Sequence, residues 1–163
     1  MASLSFLDFF CVIINQMANL VENKKARLNY EILEEYEAGI ELLGGEVKAL
    51  KSGQGSLDGA RVAIRAGEAF LLGFHIPPYQ PNNVIGSYEP ERTRRLLLSQ
   101  KEIKNLAEMI EQKRLTIIPI SVYNKKRWLK VKIALVRGKK KFDKREDIKR
   151  RDVERDIGRH LKG

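Results

Sequence analysis

The chain has 163 residues, 43% of them apolar, which is enough for one domain with a modest hydrophobic core and argues against wholesale disorder. Its net charge of +10 favours a polyanionic partner, nucleic acid first. The single cysteine, Cys11, excludes an intramolecular disulfide and a cysteine-based zinc site, and no apolar run reaches the roughly 18–20 residues that a membrane span needs.

Residues 1–21 differ in composition from the rest of the chain. They are apolar, carry no Lys or Arg, and lack the basic start and small-residue cleavage site of a secretory signal. Our hypothesis is that residues 1–16 are an upstream extension and that Met17 is an alternative initiator. The rival hypothesis is a short helix packed on the folded domain. We assign residues 22–137 to that domain and residues 138–163 to a basic tail.

The first half of the domain alternates strand and turn signals. Alternation over Leu28–Ala38 predicts a strand that bends at Gly39. Glu41–Lys51 predicts a short helix, which the pair Gly44-Gly45 weakens, and Ser52–Gly59 is rich in turn formers. A hairpin is predicted with strands Ala60–Ile64 and Glu68–Ile76.

The second half opens with a long loop, Pro77–Pro90, which holds four of the five prolines. Ser99 and Glu102 form a capping-box pattern before an amphipathic helix that we expect to end near Gln112. Two β-rich runs follow, Leu115–Val122 and Trp128–Val136, joined by a hairpin at Tyr123–Arg127. Pro119 places the first run at a sheet edge or a bulge.

The last strand is the most informative stretch. Leu129, Val131, Ile133 and Leu135 share one parity, while Trp128, Lys130 and Lys132 share the other. Such a strand buries its apolar side and offers a flat basic side, with one aromatic ring, to nucleic acid. About six short strands with one firm helix and one weaker helix predict a mainly β (α+β) fold. We expect a small OB-like antiparallel barrel with flanking helices and a basic C-terminal tail.

The tail, Gly138–Gly163, carries eleven Lys or Arg against six Asp or Glu. Val153, Ile157 and Leu161 would form only a narrow apolar stripe on a helix, too thin to hold it in isolation. We predict a tail that is disordered when free and helical when a partner supplies phosphates and an apolar groove.

Signals for catalysis are absent from the sequence. It contains no phosphate loop, dinucleotide fingerprint or common metal motif, so we expect no enzyme activity and no cofactor. Glu34 and Glu35 are adjacent in a strand, point to opposite faces and are poorly placed to share magnesium. Glu37 is either a solvated surface carboxylate or an acceptor for a base edge or ribose hydroxyl, and residue chemistry alone leaves the two equal.

Several segments together are diagnostic of a known family: NKKAR at 23–27, YEAGIELLGGEVKALKSG at 36–53, GEAFLLGFHI at 67–76, RTRRLLLSQKEI at 92–103 and KVKIALVRGKKKFDKR at 130–145. The chain from Asn23 to its end resembles the small protein B, or SsrA-binding protein, family.

The resemblance implies an OB-like barrel that binds the tRNA-like part of transfer-messenger RNA. It implies delivery of that RNA to stalled bacterial ribosomes, the reaction called trans-translation. The charged RNA would bring an indirect contact with elongation factor Tu. The tail is implied to enter the decoding centre and mRNA path of the small subunit, where it contacts ribosomal RNA. We expect a cytoplasmic monomer without membrane contact.

Residue by residue, the resemblance implies RNA-binding roles for Asn23, Glu37 and Leu97. With the basic strand and the flanking motifs, the predicted RNA-binding set is Asn23, Lys24, Glu37, Arg92, Arg94, Leu97, Trp128, Lys130 and Lys132. The predicted ribosome-binding tail residues are Gly138, Lys139, Lys140, Phe142, Asp143, Lys144 and Arg145. Phe142 departs from the histidine of many relatives: it can stack on a base but cannot titrate.

Two other classes remain as alternatives. A structural ribosomal or general single-strand-binding OB protein would bind unstructured RNA through exposed aromatics, of which the basic strand offers only Trp128. A magnesium nuclease would cleave RNA in a metal-dependent way.

Overall fold

The structure is a computed structural model that describes residues 19–80, 87–139 and Val153. In chain order its elements are β1 Asn19–Glu22, α1 Ala26–Asn29, β2 Tyr30–Ile40, α2 Gly44–Lys51, β3 Arg61–Arg65, β4 Glu68–Leu72, β5 Arg94–Leu97, α3 Gln100–Lys113, β6 Thr116–Lys125 and β7 Trp128–Gly138. The predictions for residues 1–16 and for the tail from Lys140 onward fall outside the described residues.

The strands form one antiparallel sheet that closes on itself. The order is β1-β6-β3-β4-β5-β2-β7, and β7 also pairs with β6, so six strands make a ring and β1 lies on the edge of β6. The mainly β prediction with flanking helices is therefore confirmed. α3 closes one side of the ring, with Leu106 in the main core.

Two of the ring's contacts are short. β3 meets β6 through the single pair Val62 and Ile117, and β2 meets β5 through two pairs, Gly39 with Leu97 and Ile40 with Leu96. β2 and β6 instead pair with β7 along most of their length. β2, β7 and β6 thus share the longest ladders of the ring.

A second, smaller core lies on the outer side of that sheet. It joins Ala26 of α1 to Ile118 and Ile120 of β6 and to Ala134 and Val136 of β7. The basic alternation of β7 therefore ends at Lys132, because beyond it the outward residues are apolar and α1 covers them.

Pro119 interrupts the β6 ladder as its chemistry requires. The register shifts between Pro119 and Ser121, so of the two predicted alternatives, a sheet edge or a bulge, the structure has the bulge. Asn23 takes up the irregularity: its amide donates to the carbonyls of Pro119 and Leu57, at 3.3 Å each, and its Oδ1 accepts from the Ala26 N–H at 3.1 Å. One buried side chain thus ties the start of α1 to the bulge.

The largest buried polar group is the ion network around Glu46 of α2, which we call the Glu46 network. Glu46 and Arg94 are 1% and 0% exposed. The guanidinium groups of Arg92 and Arg94 both donate to the Glu46 carboxylate. This carboxylate also accepts from the Leu43 N–H at 2.8 Å.

Arg94 uses all five of its donors in this network. Two of them donate to Glu46, and the other three donate to backbone carbonyls. Nη1 donates to Phe74 at 2.6 Å and to Arg92 at 3.0 Å, and Nη2 donates to Pro90 at 2.9 Å. The Phe74 ring lies under the guanidinium carbon at 5.4 Å. This network fastens α2, the segment after β4 and the approach to β5 together.

Several element boundaries differ from prediction. Gly39 is an interior residue of β2 rather than a bend, and the strand starts at Tyr30 because α1 occupies the preceding turn. α2 starts at Gly44 rather than Glu41, and β4 stops at Leu72 instead of Ile76. β1 and β5 had no specific prediction; residues 19–21 of β1 lie in the apolar stretch that we had placed outside the folded domain.

The second half of the domain was predicted more closely. The Ser99–Glu102 capping box is confirmed, and α3 ends at Lys113. β6 and β7 are longer than expected, which leaves only Lys126 and Arg127 in the turn. No helix in the described ranges is long and apolar enough to cross a membrane.

We expect Glu46→Gln to destabilise the fold by about 3–5 kcal/mol at pH 7, because it leaves buried Arg94 without its counter-charge. Burial opposes ionisation of Glu46, but hydrogen bonds from Arg92, the Leu43 N–H and Arg94 outweigh it and hold its pKa below the usual 4.5. Its stabilisation is therefore present above pH 4.5 and is lost as pH falls through the lowered folded pKa.

Urea unfolding between pH 7 and pH 3 measures both effects. The wild type should lose stability across this acid range more steeply than Glu46→Gln. Glu41→Gln is the matched control, since Glu41 is exposed and meets Arg95 at 3.5 Å, and it should cost no more than about 1 kcal/mol. Equal losses in the two variants would contradict a structural role for the network.

Candidate nucleic-acid interface

Strand pairing brings predicted residues from three strands onto one side of the ring. Leu97 of β5 lies opposite Gly39 of β2, Gly39 opposite Lys130 of β7, and Lys130 opposite Tyr123 of β6. Directly opposed residues of an antiparallel pair share a face. These four positions therefore form one line across four strands.

The next positions extend this line into a surface. Glu37 lies opposite Lys132, and Lys125 lies opposite Trp128. We call the result the four-strand face; its side chains are Leu97, Glu37, Trp128, Lys130, Lys132, Tyr123 and Lys125. α1 and the small core bound the face at one end.

The face is exposed where the prediction required it. Trp128 is 73% and Leu97 50% exposed, and Lys130 and Lys132 are half-buried. The opposite parity, Val131, Ile133 and Leu135, is buried as predicted. Leu97 lies flat over Gly39, where an added Cβ would come within 3.1 Å of the Leu97 Cβ. Glycine at 39 therefore makes room for an exposed apolar side chain beside the lysines.

Glu37 is the carboxylate at the centre of this face, and two side chains of β6 hold it. The Tyr123 hydroxyl donates to Oε2, and Lys125 Nζ lies 2.9 Å from both carboxylate oxygens. The Glu37 and Lys125 side chains remain 36% and 42% exposed. The group therefore reaches across β7 while keeping contact with solvent.

The electrostatics follow from this contact. The hydrogen bond from Tyr123 is the largest cause that holds the pKa of Glu37 below its usual range, and the hydrogen bond from Lys125 is the second. The charge of nearby Lys130 lowers this pKa as well. Burial raises the pKa of Tyr123, and the hydrogen bond to Glu37 raises it further. Glu35 lies opposite Ala134 on the same side of β2 and 3.3 Å from Lys132. At neutral pH the face therefore presents two carboxylates, a neutral phenol and several lysine side chains.

The adjacent carboxylates of β2 point to opposite faces, as expected. Glu35 lies 3.3 Å from Lys132, whereas Glu34 accepts from the Tyr36 hydroxyl at 2.6 Å. Within residues 19–80 and 87–139, no group of three or more His, Cys, Asp or Glu is placed to hold a metal ion.

Three of the predicted RNA-binding residues lie away from the four-strand face and have other partners. Arg94 is fully buried in the Glu46 network, so direct contact with RNA does not fit its position. Arg92 is 29% exposed and donates to the same carboxylate. Asn23 is buried, with its amide and oxygen committed to the bulge and to α1.

Lys24 is also outside the four-strand face. It is exposed in the turn before α1, next to Lys25 and Arg27, which are exposed as well. Of the predicted tail residues, the structure describes two: Gly138 ends β7, and the Lys139 N–H donates to the Asn29 carbonyl at 3.0 Å. Lys140, Phe142, Asp143, Lys144 and Arg145 fall outside the described residues.

Tyr123 and Lys125 were missed as members of the face because we assigned them to a hairpin loop. The signal was present: continuing the period of two from Ser121 places Tyr123 and Lys125 on one side. The segment Asn124–Arg127 also contains no glycine, so it gave no strong reason to end the strand early.

Comparisons with known proteins agree with this architecture. The family model described as SmpB protein matches residues 20–163. The SsrA-binding protein of Nostoc punctiforme is 49% identical over 143 residues, covering 88% of this chain and 92% of the relative. That of Solidesulfovibrio magneticus is 51% identical over 139 residues, covering 85% and 90%.

A solved structure supports the same relationship. A chain from "tmRNA-SmpB: a journey to the center of the bacterial ribosome" superposes with a TM-score of 0.63 at 40% identity. The match covers 77% of this chain and 86% of that one. The chain belongs to the SmpB protein family.

Proposed function

We propose that this chain is a non-enzymatic RNA-binding adaptor that binds transfer-messenger RNA through the four-strand face and accompanies it to stalled ribosomes for trans-translation. The observation that carries the proposal is the convergence of Leu97, Glu37 and Lys130 on adjacent strands of one exposed face. The relatives' name, SsrA-binding protein, and the ribosome-bound neighbour support the choice of RNA.

The chemistry of the face suits a folded RNA. Lys130, Lys132 and Lys24 would contact phosphates, which supplies a salt-dependent share of the affinity. Trp128 and Leu97 offer apolar surface for an unstacked base or a ribose. Glu37 would accept a hydrogen bond from a base edge or a 2′-hydroxyl, a group that distinguishes RNA from DNA.

The buried residues of the predicted set receive a supporting role in this proposal. Arg94 and Arg92 fix the approach to β5 and therefore the position of Leu97. Asn23 fixes the start of α1 and therefore the position of Lys24. Their substitution would weaken RNA binding by displacing other residues, without removal of a direct contact.

We assign a separate role to the tail. Gly138, Lys139, Lys140, Phe142, Asp143, Lys144 and Arg145 would contact ribosomal RNA in the decoding centre and the mRNA path of the small subunit. Elongation factor Tu would be met only through the charged RNA. The setting is the bacterial cytoplasm, and the chain would act as a monomer without a cofactor.

A general single-strand-binding protein is the competing function, and the 73% exposure of Trp128 is the observation that favours it. Single-strand binders use successive aromatic platforms, whereas the four-strand face offers one exposed aromatic. Competition between a folded tRNA-like RNA and a homopolymer separates the two functions. Tighter binding of the homopolymer would favour the alternative.

Charge reversal at Lys130→Glu and Lys132→Glu should weaken binding to the tRNA-like RNA and flatten its salt dependence. If both lysines neutralise phosphates, the negative slope of log K against log salt should become less steep by roughly 1.5–2. The control is Lys101→Glu with Lys104→Glu, which changes the net charge equally on the exposed side of α3. Filter binding at several salt concentrations measures both. Equal slopes for the two double variants would contradict this assignment.

Truncation should separate the two proposed binding devices. β7 continues to Gly138, and Lys139 still bonds to Asn29, so a chain that ends at Lys139 keeps the whole sheet. We expect it to bind the RNA with wild-type affinity and to fail in ribosome rescue, measured by tagging on a non-stop message. Ending the chain at Val136 would remove two strand residues and confuse the comparison. Parallel loss of both activities by the Lys139 truncation would refute the division.

A further inference from the structure

We propose that Tyr123 and Lys125 are positioning residues that fix the Glu37 carboxylate for RNA before the RNA arrives. The inference rests on the proposed function and deepens it: it says how a flexible surface carboxylate gains a defined orientation. Neither residue belonged to the predicted site. Both are on β6, whereas Glu37 is on β2, with β7 between them.

The geometry of the contact is unusual for a surface glutamate. Strands two apart in a sheet are separated by roughly 9–10 Å, so the long Tyr123 and Lys125 side chains must reach over β7 to meet Glu37. Tyr123 is only 4% exposed, and its ring is held against the sheet with the hydroxyl at Glu37. A rigid donor therefore anchors one carboxylate oxygen, and Lys125 bridges both.

An unanchored glutamate would sample several rotamers, and binding RNA would then require ordering it. With Tyr123 and Lys125 in place, that ordering is already complete in the free protein. A carboxylate has about four lone-pair sites, of which these contacts occupy three. One acceptor site remains for an RNA hydroxyl or amino group.

The charges around Glu37 also suit contact with RNA. A bare carboxylate beside RNA phosphates would be repelled, but the Lys125 ammonium neutralises it locally and Lys130 lies on the adjacent strand. The pair can therefore sit at an RNA surface without a net negative charge. Glu37 then acts as a selective acceptor and the lysines supply the attraction.

The test is a double-mutant cycle on binding of the tRNA-like RNA, with the full-length protein. Tyr123→Phe removes only the hydroxyl, and we expect roughly 3- to 10-fold weaker binding. In a Glu37→Ala background the same change should have no effect, because nothing remains to be positioned. Lys125→Arg should keep near-wild-type affinity, since arginine can donate to both carboxylate oxygens.

Matched controls lie on neighbouring residues. Tyr36→Phe removes another tyrosine hydroxyl that donates to a carboxylate, that of Glu34, but on the opposite face of β2, and RNA binding should not change. Lys126→Met removes one positive charge from the adjacent turn position, for comparison with Lys125→Met. Lys125→Met should show a Glu37-dependent loss that Lys126→Met lacks.

A spectroscopic measurement tests the contact without RNA. Titration of the Glu37 carboxyl by ¹³C NMR should show its pKa rising in Tyr123→Phe, because the largest cause of its lowered value is removed. An unchanged midpoint would contradict the contact itself.

The outcomes separate this inference from the proposed function. If the wild type fails to prefer the tRNA-like RNA, the proposed function is wrong. Suppose instead that the wild type binds this RNA and that Glu37→Ala weakens binding. If Tyr123→Phe then leaves binding unchanged, or its effect is fully additive with that of Glu37→Ala, the positioning inference alone is wrong. Full additivity of Lys125→Met would limit Lys125 to a direct phosphate contact and remove it from the positioning pair.

Discussion

The fold depends on a buried charge held by a buried carboxylate. The ring closes through one residue pair at β3–β6, and the four-residue β5 is held by two pairs to β2 and three to β4. Arg94 adds a further constraint, because its five donors bind Glu46 of α2, Phe74 after β4, and Pro90 and Arg92 before β5. Breaking such a pair leaves an uncompensated buried charge, so the loss of either partner is strongly destabilising. The position of the exposed Leu97, three residues after Arg94, therefore depends on this network.

The four-strand face has a different origin, in the long ladders of β7. β7 pairs with β2 and β6 over nine residue pairs each, so the outward side chains from Lys130 to Val136 have a defined neighbour on both sides. Apolar outward residues at Ala134 and Val136 place α1 over one half. The charged outward residues at Lys130 and Lys132 leave the other half open. A single change in composition along one strand therefore divides a continuous surface into a packed half and a binding half.

Period-two alternation and the capping box were sufficient to predict β7, α3 and the mainly β class, because those elements follow local rules. Arg94 was misread for a physical reason: an arginine in a basic motif looks like a phosphate ligand until a buried carboxylate from a distant helix is known. β5 was missed because four residues with two arginines carry little strand signal. The period of two already places Tyr123 and Lys125 on one side of β6, but their approach to Glu37 depends on the pairing register, which a single sequence with a glycine-free turn does not define.

A carboxylate at the centre of a basic face separates affinity from selectivity. Lysines attract any polyanion, since phosphates are the same in every sequence, so a face of lysines alone would bind RNA and DNA indiscriminately. Glu37 strengthens binding only where a hydrogen-bond donor meets it, and it weakens binding where a phosphate meets it. That discrimination is sharpest when the carboxylate cannot rotate away. The hydroxyl of Tyr123 and the ammonium of Lys125 impose this restriction, and they do so from a strand that the long β7 ladders hold in register with Glu37.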